Sequence, residues 1–191
     1  MHAMKFTHSD ILPEVIIIEP LVFKDARGYF FEGFQTKRYH EIGIRDTFVQ
    51  DNYSRSIKNT LRGLHYQLQN PQGKLVGVTA GKVLDVIVDI RHGSPTFRRW
   101  ISVELSDDNA RQVYIPRGFA HGFFVLSDSA DFYYKCTDYY VAHDDYGIAW
   151  NDPMLHIDWP LTDNIIVSPK DQTYPSLNQL THDKLPRYLP L

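Results

Sequence analysis

Cysteine and long apolar runs are what this sequence most clearly lacks. Cys136 is its one cysteine in 191 residues, so no internal disulfide can form, and no Cys/His cluster offers a structural zinc site. No run of about 18 apolar residues occurs, which argues against a membrane-spanning helix, and the polar residues after Met1 do not resemble a signal segment. We therefore expect a cytoplasmic protein in a reducing compartment, with Met1 or Met4 as its natural start.

An excess of charge of one sign is missing as well. The chain has 20 Lys and Arg against 23 Asp and Glu, for a formal net charge of -3. Such a balance produces no general field that would attract nucleic acid or an anionic membrane. The sequence also has no glycine-rich loop opening a helix that would hold phosphate. Nucleic-acid and membrane partners are therefore not expected, and an anionic ligand must be bound by local cations.

Strand-forming residues are what the sequence has in abundance. Aromatic residues make up 14% and hydrophobic residues 43% of the chain, enough for a substantial core. Alternating or β-branched runs between turn-forming stretches predict strands at 15–19, 29–34, 48–54, 75–79, 83–90, 100–105, 112–115, 123–126 and 131–140. Helices are expected only at 37–42, as a turn near 153–155, and close to the carboxyl terminus. The pattern predicts one all-β sandwich or barrel over residues 1–191, with 179–191 as a C-terminal tail.

A histidine accompanied by two cations is the strongest indication of chemistry. Residues 61–67 read Leu-Arg-Gly-Leu-His-Tyr-Gln, and Lys74 follows nine residues after His65. An imidazole can take a proton near neutral pH, while Arg62 and Lys74 can hold an anion or a developing oxyanion. Further along the chain, Tyr134 offers a phenolic acid. This combination suits proton abstraction from carbon.

Three aspartates are candidates for roles beside these groups. Asp171 could orient the imidazole of His65, as buried aspartates do in other sites. Asp85 is a competing partner for the same imidazole, and Asp85 and Asp89 fall on one face of the predicted strand 83–90. Paired carboxylates can act as acid and base, but strand aspartates more commonly bond to neighbouring arginines or loop amides. The residues alone leave these choices open.

The segment 113–123 contains a recognisable motif. It runs from a predicted strand through a Pro-Arg-Gly turn to His121 at the entry of the next strand. This order resembles the second motif of the cupin superfamily, whose fold is a jelly-roll barrel of two antiparallel sheets. Metal-binding cupins have a His-x-His pair in their first motif, whereas this chain has Gln67 two residues after His65. A catalytic metal typically needs three protein ligands, so we expect none here.

A sharper resemblance covers residues 10–178. Its motifs follow one another in family order: Asp25-x-Arg27-Gly28-x-Phe30, Gln50-Asp51-Asn52, Leu61-Arg62-Gly63-Leu64-His65, Lys74-Leu75-Val76, Ser94-Pro95-Thr96, Tyr134-Lys135, Trp150-Asn151-Asp152-Pro153 and Ser168-x-Lys170-Asp171. In these residues the chain resembles the dTDP-4-dehydrorhamnose 3,5-epimerase family. The resemblance implies a cofactor-free enzyme that epimerises C3 and C5 of dTDP-4-dehydro-6-deoxy-D-glucose. Its product would be dTDP-4-dehydro-L-rhamnose, for dTDP-L-rhamnose and surface polysaccharide such as the O antigen of lipopolysaccharide.

The resemblance also implies catalytic residues. His65 matches the family's base, which removes a proton acidified by the C4 carbonyl, and Asp171 matches its partner carboxylate. Lys74 matches the group that stabilises the developing enolate oxygen. Tyr134 matches the acid that returns a proton from the opposite face. A second group is required because a single base would tend to restore the original configuration.

Binding positions of the family are matched by polar and aromatic residues. The resemblance implies diphosphate contacts from Arg27, Arg62 and Lys170, polar contacts from Glu32, Gln50, Asp51 and Asn52, a substrate-facing His121, and stacking on thymine by Tyr139. Asp145 stands where the family commonly has glutamate, and its side chain reaches about one methylene less far. A nucleoside contact from Asp145 would therefore need the ligand to lie closer to the backbone than it would with glutamate.

A homodimer is the expected assembly. The resemblance implies that an exchanged amino-terminal strand brings Arg27 and Glu32 to the partner's site and covers a sheet edge. Three other functions stay open: a C3-only or C5-only epimerase of a related dTDP-deoxyketosugar, a non-catalytic sugar-nucleotide-binding cupin, and a metal-dependent cupin oxygenase or isomerase. The binding protein would be expected to lack the base, its carboxylate or the phenol, and all three are present.

Overall fold

The computed structural model describes residues 4–160 and 164–189, which form mainly antiparallel strands. The strands are β1 (Lys5–His8), β2 (Ile16–Glu19), β3 (Phe23–Asp25), β4 (Gly28–Phe30), β5 (Gln50–Ile57), β6 (Thr60–Gln67), β7 (Lys74–Ala80), β8 (Lys82–Asp89), β9 (Trp100–Ser106), β10 (Gln112–Ile115), β11 (Phe119–Val125), β12 (Ser129–Cys136), β13 (Asp145–Gly147) and β14 (Ile166–Val167). The helices are α1 (Thr36–Glu41) and single 3-10 turns at Ala142–Asp144, Leu177–Gln179 and His182–Lys184.

Two large sheets face each other across a central core. The first sheet has the order β1-β2-β10-β7-β12-β5, and the second has the order β13-β6-β11-β8-β9, with β14 added in parallel beside the start of β6. The facing side chains are mainly β-branched or aromatic and include Val76, Val78, Val113 and Ile115 of the first sheet and Val83, Ile87, Val103 and Phe123 of the second. This architecture confirms the predicted cupin-type jelly-roll barrel.

Smaller clusters cover the outer faces of the two sheets. Helix α1 packs the fully buried Tyr39 against Ile18 and Tyr114 of the first sheet. The helix begins where the Gln35 side chain accepts a hydrogen bond from the Arg38 backbone N–H at 3.2 Å, which satisfies one of the free amides of the first turn. The short helix predicted at 37–42 is therefore confirmed.

The predicted strands differ from the observed ones where residues lack a ladder partner. The strand predicted at 131–140 ends at Cys136, because Cys136 already pairs with Gln50 and Lys74, the first residues of the two neighbouring strands. The strand predicted at 29–34 stops at Phe30, the end of an isolated hairpin. Strand β6 was not among the predicted strands at all, because a glycine and charged side chains interrupt its alternation.

The carboxyl-terminal segment lies against the second sheet. Leu185 is buried in the outer cluster, and the backbone of His92 donates to Pro186 O at 2.7 Å and accepts from Tyr188 N–H at 3.0 Å. The predicted domain bounds at 1 and 191, and the choice between Met1 and Met4, involve residues outside the described ranges. Within those ranges no helix is long and apolar enough to cross a membrane.

Candidate active site

The central pair of the site is His65 with Asp171. Parallel pairing of β14 with the start of β6 places the turn that follows β14 beside His65. Nε2 of His65 lies 2.7 Å from Oδ1 of Asp171, and the Gly63 N–H donates to Oδ2 at 3.1 Å. Burial acts to raise the pKa of Asp171, which is 4% exposed, but these hydrogen bonds outweigh it and hold the pKa below its usual value. Asp171 is therefore a carboxylate that orients the imidazole.

A β-bulge in β6 makes this arrangement possible. The register between β6 and β11 shifts between His121 and Phe123, so β6 carries an extra residue there. Gly63 lies in the bulge with φ +121°, and a Cβ atom at this position would lie 2.5 Å from the Cα of Gly122. Only glycine fits between the strands at this point, and its amide is thereby free to face Asp171.

Lys74 and Tyr134 approach from the first sheet. Cross-strand pairing of Lys74 with Cys136, and of Tyr134 with Val76, places both side chains on the inner face. Lys74 Nζ lies 5.9 Å from the centre of the Tyr134 ring. Burial lowers the pKa of Lys74 and raises the pKa of Tyr134 to about 12. Tyr134 is therefore a protonated phenol at neutral pH. None of the ion pairs among the described residues includes Lys74.

These groups surround one internal cavity of about 180 Å³. Its lining side chains come from both sheets: Ser54, Lys74, Phe132 and Tyr134 from the first, and Arg62, His65, His121 and Phe123 from the second. A ring bound between the sheets would have the imidazole on one side and the phenol on the other. The cavity thus brings together three of the four residues predicted to be catalytic, and the fourth, Asp171, contacts it through His65.

Asp85 bonds to a different histidine. Oδ1 of Asp85 lies 2.6 Å from Nε2 of His121, and both residues are buried. Asp85 is therefore not the partner of His65, which answers one of the questions that the sequence left open. Asp89 accepts hydrogen bonds from Arg91 and from loop hydroxyls, so it holds a turn and does not join Asp85 in a carboxylate pair.

A wider groove of about 740 Å³ adjoins the cavity. Arg62 and His65 line both the groove and the cavity. Lys170 Nζ lies 2.6 Å from Oδ2 of Asp145 in this groove, and the Tyr140 hydroxyl donates to the same oxygen at 3.0 Å. The cations Arg62 and Lys170 both line the groove, which could hold a polyanion. Asp145 fixes the position of the Lys170 ammonium in the groove.

The aromatic residue that lines the groove is Tyr140, next to the predicted Tyr139. Tyr140 lines the groove, whereas Tyr139 is 62% exposed and does not. The strand ends at Cys136, so the alternation of side chains cannot be extended to these two tyrosines. No feature of the sequence distinguishes them.

The polar residues of β5 divide between its two faces. Gln50 Nε2 donates to Asn52 Oδ1 at 3.0 Å, and Asn52 Nδ2 donates to the buried Sγ of Cys136 at 3.5 Å. Asp51 points the opposite way and forms an ion pair with Lys135 at 2.8 Å. Side chains of a strand alternate, so Gln50 and Asn52 share the inner face while Asp51 faces away from the cavity of its own chain.

Arg27 and Glu32 lie outside the site of their own chain. The Arg27 side chain is 90% exposed at the tip of the β3–β4 hairpin and pairs with Asp25 at 2.6 Å, and Glu32 pairs with Arg38 at 3.0 Å. Neither lines the cavity or the groove. If they act on a substrate, they must do so in another chain's site.

Tyr174 is a site residue that the sequence did not reveal. Its ring lies edge-on to the His65 imidazole, with 5.8 Å between ring centres. The tyrosine fits there because residue 147 is glycine, since a Cβ atom at Gly147 would overlap the Tyr174 ring. Tyr174 thus limits rotation of the imidazole from the side that Asp171 leaves free.

Metal ligands do not gather at this site in the described part of the chain. Across residues 4–160 and 164–189, no three His, Cys, Asp or Glu side chains lie close enough to hold a metal ion together. The expectation that the chemistry needs no metal stays a prediction.

Comparisons with known proteins agree on one family. The family model described as dTDP-4-dehydrorhamnose 3,5-epimerase matches residues 10–179. The dTDP-4-dehydrorhamnose 3,5-epimerase of Pseudomonas aeruginosa is 53% identical over 84% of this chain and 90% of its own length. A Legionella pneumophila dTDP-6-deoxy-D-glucose-3,5-epimerase, solved with dTDP-4-keto-L-rhamnose, has 55% identity and a TM-score of 0.95, covering 98% of this chain and 100% of that one. A 3'-monoepimerase from Streptomyces bikiniensis, solved with dTDP-quinovose, has 30% identity and a TM-score of 0.85, covering 98% and 93%.

Proposed function

Because the chain belongs to the dTDP-4-dehydrorhamnose 3,5-epimerase family, we propose that it is an isomerase acting at C3 and C5 of dTDP-4-dehydro-6-deoxy-D-glucose. The product is dTDP-4-dehydro-L-rhamnose, a step toward dTDP-L-rhamnose. The observation that carries this proposal is the placement of an oriented imidazole and a protonated phenol on facing sheets of one cavity. Inversion at carbon needs two such groups on opposite sides of the ring.

The chemistry begins with the C4 ketone, which acidifies the protons on C3 and C5. His65 removes a proton, and the charge of Asp171 stabilises the resulting imidazolium. Lys74 stabilises the enolate oxygen, a contribution worth roughly 3 to 4 kcal/mol for a single oxyanion donor in other enzymes. Tyr134 then protonates the carbon from the opposite face, and the configuration is inverted.

The nucleotide binds in the outer groove. Arg62 and Lys170 neutralise the diphosphate, and a guanidinium can grip two phosphate oxygens at once. Tyr140 offers a ring for stacking on the base. Arg62 lines both spaces, so the diphosphate lies at the junction of groove and cavity.

The test is product identification. The purified protein is incubated with dTDP-4-dehydro-6-deoxy-D-glucose, with and without a metal chelator, and the products are assigned by proton NMR. We expect the doubly epimerised sugar in both samples. Inversion at one carbon only would establish the monoepimerase alternative, and an unchanged substrate that nevertheless binds would establish the binding-protein alternative. Loss of activity with the chelator would support a metal-dependent enzyme.

The active form is a homodimer that exchanges its amino-terminal hairpin. Three features support this proposal: the aromatic residues Phe23, Tyr29 and Phe30 are more than half exposed on the hairpin, the Arg27 side chain is 90% exposed at its tip, and the groove of the same chain receives neither Arg27 nor Glu32. If the hairpin lies in the partner's groove, its aromatic rings become buried and Arg27 adds a cation beside the diphosphate.

Mixing two inactive variants tests the exchange. Arg27→Ala and His65→Ala each remove one component of every site in a homodimer. A mixed dimer contains one site with both residues intact, so random reassociation should restore about a quarter of wild-type activity. Mixtures that stay inactive, although subunit exchange is demonstrated by mass spectrometry, would contradict the exchanged arrangement.

A further inference from the structure

The hairpin that carries Arg27 joins the barrel at two points, and both lie beside the start of β10. Strands β3 and β4 form a two-stranded sheet of their own, and residues 23–30 are all exposed. The chain leaves the first sheet at Glu19, the last residue of β2, and contacts that sheet again at Gly33. These two residues form the hairpin base. Since a two-stranded hairpin is only marginally stable by itself, its direction is set at this base.

Gln112 holds the Gly33 side of the hairpin base. Its side chain is fully buried, and Nε2 donates to Gly33 O at 2.7 Å. Nε2 also donates to the Tyr133 hydroxyl at 2.6 Å, while Oε1 accepts from the Tyr39 hydroxyl. The Tyr39 hydroxyl lies 3.0 Å from Gly33 O as well, but it has one hydrogen for two acceptors. The amide of Gln112 is thus fixed in one orientation, and loss of its bond to Gly33 would leave a buried N–H unpaired.

Arg111, the residue before Gln112, holds the other side of the hairpin base. Its Nε and Nη2 atoms donate to Oε1 of Glu19 at 3.0 and 2.8 Å. The two side chains are 41% and 43% exposed, so this ion pair contributes less than the buried amide. Backbone pairing of Gln112 with Ile18 brings the end of β2 to the same place. Consecutive residues of β10 therefore hold both sides of the hairpin base.

We propose that Gln112, assisted by Arg111, is a positioning residue for the active site of the partner chain. By holding the hairpin base it sets where Arg27 and Glu32 lie in that site, so the inference rests on the exchange proposed above. Glu32 directly precedes Gly33 and moves with it. Arg27 is six residues from Gly33, up to about 20 Å along an extended chain, so a rotation of about 10° at the base moves it by up to about 3 Å. Such a displacement is enough to break a hydrogen bond to a phosphate oxygen.

Two variants remove the bond between Gln112 and Gly33. Gln112→Met keeps the length of the side chain without its polar atoms, and Gln112→Asn keeps an amide that is shorter by one methylene. Tyr133→Phe is the matched control, because it takes a partner from the same amide and leaves the bond to Gly33. Melting temperatures establish which variants are folded.

Mixed dimers show in which of the two sites the effect of Gln112 falls. They are isolated through a different affinity tag on each chain, and one chain carries His65→Ala, so that each dimer has one working site. Under the exchange, that site receives its hairpin from the His65→Ala chain. The folded Gln112 variant is placed either on the His65→Ala chain or on the chain with the working site, and KM and kcat are measured by proton NMR.

We expect KM to rise about tenfold, with kcat within about threefold of wild type, in the homodimer of the Gln112 variant. The same rise is expected in the mixed dimer whose His65→Ala chain carries the Gln112 variant. With the variant on the working-site chain, KM should equal that of a mixed dimer carrying His65→Ala alone, and Tyr133→Phe should have the KM of wild type.

The opposite distribution would overturn the inference. It would be shown by a raised KM only when the Gln112 variant is on the working-site chain, by an equal rise with Tyr133→Phe, or by a wild-type KM in the folded homodimer. Failure of Arg27→Ala and His65→Ala to complement each other would instead refute the exchange itself. Absence of epimerisation by the wild-type protein would refute the proposed function.

Discussion

Replacing Asp171 with asparagine tests the most specific electrostatic feature of the site. The change keeps the shape of a side chain that is 4% exposed and removes its charge beside His65, 2.7 Å away. The imidazole becomes positive only as it takes the proton, so the lost attraction falls mainly on the transition state. Two charges about 4 Å apart attract by about 4 kcal/mol at an effective dielectric constant of about 20. Since the charge is only partly developed, kcat should fall by about 10² to 10³.

The assay follows substrate consumption by proton NMR and measures dTDP affinity by calorimetry. Asp171→Asn should lower kcat with little change in KM or in dTDP binding, because the groove keeps its cations. Asp183→Asn, at an exposed aspartate near the carboxyl terminus, is the matched control and should behave as wild type. A kcat within threefold of wild type, or a loss confined to KM, would refute the reasoning.

Further predictions concern individual side chains. Lys74→Met should lower kcat by about 10² to 10³, because it removes an oxyanion donor. It should also raise the melting temperature, because it removes a half-buried ammonium whose pKa burial lowers. Steady-state kinetics and calorimetry check the two effects. Asp145→Asn should tighten dTDP binding by about threefold to tenfold at low salt, because it frees Lys170, and weaker binding would show a nucleoside contact. Tyr174→Ala should lower kcat by about tenfold while Tyr174→Phe retains it, because the ring alone restricts the catalytic imidazole. The pKa of Asp89 is lowered: burial opposes this, but hydrogen bonds led by Arg91 outweigh it. The ionised Asp89 carboxylate therefore stabilises the fold fully above about pH 4, and this stabilisation is lost as the pH falls through the lowered pKa of Asp89 in the folded protein. In Asp89→Asn the free energy of unfolding should fall less steeply with acid, which denaturation curves at several pH values would measure.

The sequence was sufficient for the fold class because strand periodicity is a local property. The alternation at 83–90 and 112–115 is found again in β8 and β10, and the short helix at 37–42 lies where it was expected. The same alternation could have separated Asp51 from Gln50 and Asn52. The family resemblance gave all three residues one binding role, whereas pairing of β5 with β12 places Asp51 on the opposite face from Gln50 and Asn52.

Pairings between distant residues could not be derived from the sequence. His65 and Asp171 are 106 positions apart, and nothing local distinguishes Asp171 from Asp85 as the partner. The choice depends on parallel pairing of the two-residue strand β14 and on a bulge at Gly63, neither of which has a strong periodic pattern. Tyr174 and Tyr140 were missed for the same reason, since irregular segments place them.

Deuterium exchange tests the central claim most directly. dTDP-4-dehydro-6-deoxy-D-glucose is incubated in D2O with the wild-type protein and with His65→Ala, and the signals of the C3 and C5 protons are followed by NMR. We expect deuterium to enter both carbons with the wild-type protein and neither carbon with the variant. Exchange that survives in His65→Ala, or wild-type protein that binds the nucleotide sugar but exchanges neither proton, would contradict it.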